Sequence, residues 1–277
     1  MKRLEELILR GAERRGVSYL VPHLCQDFLQ RAAFFFLQRC RRVILTTGFY
    51  VLGAGVLETD GPPGAAAIAR ACQRLGGEVY LFVDDFSLSL WKGFEDFFPS
   101  LYSVPIAGRA ETWVVLEKYF RQIRPTLLVA VERCGATEGG KYQNFRGADI
   151  TPYTAKVDLL FEQFPATIGI GDGGNEIGMG NLASYIRRYL GIEPAAVEVA
   201  HLILATVSNW GAYALVRAAE FFSGEKLLWS VEEQREFLVR LQLAGFVDGI
   251  SGQPKLSVDG YSLRENEEML LEIHASG

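Results

Sequence analysis

Five short apolar runs recur along this chain, and each ends in a polar or glycine-bearing turn. They are Val43–Leu45 before Thr46-Thr-Gly-Phe49, Glu78–Val83 before Asp84-Asp85, and Thr126–Val131 before Glu132-Arg-Cys-Gly135. Ile168–Ile170 then precedes a glycine-rich stretch, and Leu202–Thr206 precedes Ser208-Asn-Trp-Gly211. Short continuous apolar runs of this kind suit strands buried on both faces. Between them lie segments with helical spacing: Gly64–Leu75 led by Pro62-Pro63, Glu111–Ile123 stopped by Pro125, Tyr153–Phe164, and Ala212–Phe222. Val231–Leu243 and Leu263–His274 close the chain as helices, and two amphipathic helices, around Leu4–Arg14 and Cys25–Arg39, lead into it. This alternation predicts an α/β fold, a three-layer αβα arrangement with a mainly parallel, doubly wound (Rossmann-like) sheet. No linker, repeat or low-complexity tract interrupts it. The 277 residues therefore read as a single α/β domain, 1–277, with 1–40 as a helical lead-in.

Composition narrows the function. A net charge of −5 argues against nucleic acid as the main partner, since tracking phosphates requires a basic excess. Cys25, Cys40, Cys72 and Cys134 form no C-x-x-C pair, and only three histidines are present, so a zinc site is not expected. The thiols read as free and buried, with Cys134 set apart by its polar loop. His23, His201 and His274 read as structural. The charged N-terminus has no apolar signal core, and Ala32–Leu37 is too short to span a bilayer. The expectation is a soluble cytoplasmic protein with no membrane partner.

In a doubly wound sheet the strand ends gather along one edge, where ligands bind at a switch in strand order. The loops at those ends are therefore the candidate site. The densest is Gly169-Ile-Gly-Asp-Gly-Gly-Asn-Glu-Ile-Gly-Met-Gly-Asn181, which sets Asp172, Asn175 and Glu176 among six glycines. Gly169-x-Gly171-x-x-Gly174 has the letters of a dinucleotide fingerprint but includes strand residues and falls late in the chain, and the Gly-Lys-Ser/Thr of a phosphate loop is absent. A carboxylate site is the favoured reading, with Glu176 in the first turn of the following helix. Asp172 and Glu176 together could hold a divalent cation, Mg²⁺ or Mn²⁺. No nucleotide is expected. Arg133, Lys141 and Arg146 are cations suited to a carboxylate. Asp60, in Glu58-Thr-Asp-Gly-Pro-Pro-Gly64, either caps the next helix or holds a substrate ammonium. Thr47 and Gly48 end the first strand; Ser208 and Asn209 read as caps or as ligand contacts.

Taken together, Glu58–Gly64, Glu132–Gly135, Gly171–Asn181 and Ser208-Asn-Trp-Gly-Ala-Tyr213 resemble the C-terminal domain of the D-glutamate cyclase family, over roughly Val43 to Gly260. The resemblance implies a stand-alone, bacterial-type member, without the hydratase-like region that precedes this domain in longer mammalian members. It implies a carbon–oxygen hydro-lyase that converts D-glutamate, a small acidic amino acid, to 5-oxo-D-proline and water. On that reading Asp172 and Glu176 form the reacting centre, as metal ligands or a proton-transfer pair, and Glu132 is a reserve base. Asn175 and the N–H groups of Gly173 and Gly174 would bind the oxyanion, and Arg133, Lys141 or Arg146 the spectator carboxylate. The open alternatives are a nucleotide- or sugar-phosphate-using α/β enzyme and a non-catalytic binder of an acidic metabolite.

Overall fold

The computed structural model describes residues 1–276. Its strands are β1 (Arg42–Thr47), β2 (Tyr50–Val51), β3 (Val56–Leu57), β4 (Glu78–Asp84), β5 (Leu101–Val104), β6 (Leu127–Val131), β7 (Thr167–Gly171), β8 (His201–Leu204), β9 (Ser257–Val258) and β10 (Tyr261–Ser262). Six of them form one sheet in the order β5-β4-β1-β6-β7-β8, with parallel pairing throughout. Counted among these six, that order is third, second, first, fourth, fifth, sixth: the doubly wound, Rossmann-like topology. The remaining four strands make two small antiparallel hairpins, β2–β3 and β9–β10.

The helices are α1 (Lys2–Ile8), α2 (Phe28–Arg39), α3 (Pro62–Arg74), α4 (Arg109–Ile123), α5 (Asp158–Gln163), α6 (Ala183–Tyr189), α7 (Ser208–Ser223), α8 (Val231–Ala244) and α9 (Leu263–Ala275). The two-residue period of a strand decides how they layer. Val43, Leu45, Leu127, Val129 and Val131 face a core built with α1, α2, α3, α7, α8 and α9. Ile44, Leu128 and Ala130 face the opposite core, against α4, α5 and α6. Both sides of the sheet are thus covered, which is why its strands read as continuous apolar runs.

Three expectations need correcting. The first lead-in helix ends at Ile8, because Gly11 adopts a left-handed φ of 86° and Ala12–Arg15 continues as a short 3₁₀ turn. The segment from Tyr153 is helical only from Asp158, after a separate turn at Thr151–Tyr153. The strand β5 has no counterpart among the five predicted strands. It is a four-residue edge strand between Pro99 and Pro105, three of its residues are only half-buried, and so it lacks the apolar signature.

Candidate active site

The strand order reverses between β1 and β6, and the loops leaving their carboxyl ends open a crevice there. Glu132 follows β6 directly, with a left-handed φ of 45° that is uncommon for a residue with a side chain. Its carboxylate is buried and accepts a 2.5 Å hydrogen bond from Ser208 Oγ, the first residue of α7. Asp172 follows β7, also buried, and its Oδ2 lies 2.7 Å from Arg15 Nη1. Arg15 comes from the 3₁₀ turn of the lead-in, and its Nη2 lies 2.8 Å from Asp259 Oδ2 at the tip of the β9–β10 hairpin.

The glycine block folds around its own carboxylate. Glu176 Oε1 accepts from the Gly173 N–H at 2.6 Å and the Asp172 N–H at 3.3 Å; Oε2 accepts from the Gly174 N–H at 2.7 Å. This turn requires Gly174 at φ 106°. Gly169 serves a different end: a Cβ there would sit 2.4 Å from the Ile177 carbonyl oxygen, so its absence lets the returning loop pack on β7. The expected oxyanion role of the Gly173 and Gly174 N–H groups is thereby corrected, since both already donate to Glu176. Asn175 lines the cavity and gives one of its two Nδ2 hydrogens to the Gln143 carbonyl at 2.8 Å. Nor does Glu176 occupy a first helical turn: a 3₁₀ turn begins at Met179 and α6 only at Ala183.

Glu132, Asp172, Glu176 and Glu58 share the wall of a cavity of about 380 Å³ with Arg15, while Tyr50, Phe145 and Arg146 line it from the surrounding loops. Carboxylate oxygens of Glu132, Asp172 and Glu176 lie within 4.8 Å of one another, as do those of Asp60, Asp172 and Asp259. Either triad is spaced to hold a metal ion. Four buried carboxylates, those of Asp172, Asp259, Glu132 and Glu58, therefore act on the one Arg15 guanidinium, the first two as direct ion pairs. Burial is the first cause raising Glu132 and Asp172 well above the usual carboxylate range; Asp172 adds to it at Glu132, whereas Arg15 opposes it at Asp172. Burial and then Asp259 push Glu58 up as well, and push Asp60 up to about 8.

Asp60 caps a helix other than the one that follows it, while its Oδ1 also accepts from the Gly61 N–H at 3.0 Å. Its carboxylate accepts from the Ser208 and Asn209 N–H groups at the start of α7, at 2.8 and 2.9 Å. In return Asn209 Oδ1 accepts from the Gly61 and Gly64 N–H groups at the start of α3, at 3.0 and 2.8 Å. The two helices cap each other across the switch point. Arg133 also departs from expectation. It is fully buried, forks onto Asp84 at 2.5 and 2.6 Å, and donates to the Gly48 and Ala155 carbonyls, so it grips no carboxylate in the cavity. Thr47 is buried without a partner for its hydroxyl and lies off the cavity wall, and Lys141 is exposed and also off the wall. Of the three predicted cations only Arg146 lines the cavity. Cys134 is buried with its backbone bridged to Glu176, and Cys25 is exposed, contrary to the buried reading.

Arg15, Glu58 and Asp259 escaped the sequence reading. Arg15 sits in a charged Glu-Arg-Arg run that looks like a solvated face. Asp259-Gly260 reads as a hairpin turn, and both residues do have positive φ. Glu58 alone carried a signal, in the block from which Asp60 was selected. Among the described residues no helix is long and apolar enough to cross a membrane.

Comparison with known proteins bears on this geometry. A family model described as "D-glutamate cyclase-like, C-terminal" matches residues 4–274. A human protein named "D-glutamate cyclase, mitochondrial" is 34% identical over 239 residues, which is 79% of this chain and 38% of that protein. The chain thus spans well under half the length of this curated relative.

Proposed function

The chain belongs to the D-glutamate cyclase-like, C-terminal family, and from that premise we propose that it closes D-glutamate to 5-oxo-D-proline with loss of water, as a carbon–oxygen hydro-lyase. One observation carries the reading: Glu132 and Asp172, delivered by two different strands, face a single cavity large enough for a small amino acid. The D configuration rests on the names of the family and of the relative.

Ring closure joins the α-nitrogen to the γ-carbon of the same molecule, so much of the task is to hold one folded rotamer. Arg146 on the cavity wall offers a fork to the spectator α-carboxylate. Glu132, oriented by Ser208, takes a proton from the substrate ammonium and passes it to the γ-carboxyl group. The freed amine attacks the γ-carbon and the C–N bond forms. A second proton leaves the nitrogen for the same departing oxygen by way of Glu132, and the C–O bond breaks as water leaves. The third proton stays on the lactam nitrogen, and Glu132 returns to its starting state.

Asp172 and Glu176 offer only buried carboxylate oxygens; Asp172 accepts from Arg15 on Oδ2 alone and Glu176 keeps one lone pair on Oε2, an oxygen set of the kind that suits Mg²⁺ or Mn²⁺. Such an ion, held by Asp172 and Glu176, supplies polarisation of a carboxyl oxygen. A phosphate-bearing substrate finds less support, because the loop amides that would cradle it donate to Glu176 and the buried wall is acidic.

The test is to follow ring formation by NMR with D- and L-glutamate, with and without Mg²⁺ or Mn²⁺. Turnover of D-glutamate is expected, and Glu132→Gln and Asp172→Asn, with unchanged circular dichroism, should each lose about 10²-fold or more. Saturable binding of the acid by the unaltered chain with no turnover would instead identify a metabolite binder.

A further inference from the structure

Attack on the γ-carbon drives the carbonyl π pair onto oxygen, and that oxygen needs fixed hydrogen-bond donors. Two of the donors first expected for it are engaged elsewhere. The Gly173 and Gly174 amides serve Glu176, while Asn175 gives one of its two Nδ2 hydrogens to the Gln143 carbonyl. Among the described residues the cations on the cavity wall are Arg15 and Arg146, and Arg146 is on an exposed stretch of loop.

We propose that Arg15 is the oxyanion donor of this site, a catalytic residue contributed by the N-terminal lead-in; this rests on the cyclisation reading above. A guanidinium carries five N–H groups in a rigid plane. Nη1 is fixed by Asp172 at 2.7 Å and Nη2 by Asp259 at 2.8 Å, which sets that plane before substrate arrives. The side chain retains 24% exposure, onto this cavity and a smaller one of about 180 Å³ behind it. Asp172 and Glu132 offer oxygens within 4.8 Å of each other, so a carboxyl group placed for proton transfer with Glu132 comes within reach of the guanidinium paired to Asp172. As the C–N bond forms, the π pair moves to the oxygen held by Arg15. As the other C–O bond breaks and water leaves with two protons, that pair returns to restore the carbonyl.

A purely structural counter-ion would tie the lead-in to the two aspartates and do nothing more, so the experiment must separate the two roles. Turnover of D-glutamate is measured by NMR for the unaltered chain, Arg15→Ala and Arg15→Lys, with melting temperatures alongside. Arg15→Ala is expected to lower kcat about 10²–10³-fold with a much smaller change in KM. Guanidinium ion at a non-denaturing millimolar concentration should restore part of that loss, and should not restore Glu132→Gln. Arg15→Lys keeps the charge without the fork and should remain impaired. A folded Arg15→Ala with full kcat, or one whose loss guanidinium leaves unrestored, overturns the assignment. Should Arg15→Ala not fold, Arg15→Lys turning over at the unaltered rate overturns it. No turnover by the unaltered chain overturns the cyclase reading itself, and with it this role.

Discussion

Arg133 stands one residue beyond Glu132, ahead of a long polar loop, in the position of a substrate anchor. In the fold it forks onto Asp84, the last residue of β4, and also donates to two carbonyls, while its buried Nε has no partner. Arg15, in an unremarked charged turn, reaches the acidic cavity instead. The difference is one of partners. Arg133 can bury its charge because Asp84 meets both arms of its fork away from the cavity, whereas Arg15 meets Asp172 and Asp259 through one nitrogen each and stays on the cavity wall. Removing the partner should be costly: Asp84→Ala leaves a buried unpaired charge, with an expected loss of roughly 3–5 kcal/mol. Urea unfolding checks this, and a loss within the range of ordinary surface substitutions would contradict the account. The convergence of Glu132, Asp172 and Glu176 on one cavity was legible because each lies in a loop that leaves a strand end. Their hydrogen-bond partners were not legible, since the residues that supply them carry no local mark of that use.

The helices α3 and α7 start on either side of the switch point and exchange caps through Asp60 and Asn209. In sequence each looks like a local cap for its own helix, and capping chemistry was read correctly while the helix being capped was not. The exchange ties together the two elements that frame Glu132. Asn209→Ala strips the acceptor from the buried Gly64 N–H and leaves the Gly61 N–H with Asp60 alone, and is expected to cost roughly 1–3 kcal/mol, seen as a lowered melting temperature. Little change would mean that Asp60 alone holds the junction. At this scale periodicity found the buried strands well, because a strand covered on both faces has to be apolar throughout. It missed β5, whose place at the sheet edge lifts that requirement.

Across the whole molecule, the lead-in packs against the far edge of the sheet as well as reaching the site. His201 opens β8 with its ring 4.4 Å from that of Phe35 in α2. Burial first, and then Arg31 and Arg39, hold its pKa below the ordinary 6.5. A folded pKa below the unfolded one means that the unfolded chain takes up the proton first as pH falls. The stabilisation is therefore complete above about pH 6.5 and is lost progressively below it. His201→Gln should show a shallower fall in melting temperature across that window than the unaltered chain; identical slopes would show that His201 contributes nothing to it.

Sequence alone determined five of the six sheet strands, most of the helices, the αβα layering and the edge at which the polar loops gather. Those follow from spacing and from the solvent each residue must avoid, which are local properties of the chain. Tertiary structure alone decided which charges share the cavity. Arg15 and Asp172 are 157 positions apart, and Asp259 stands farther still along the chain. Only the order in which the strands lie side by side brings such residues within hydrogen-bond reach, and the ion pairs they make then decide which cation faces the cavity.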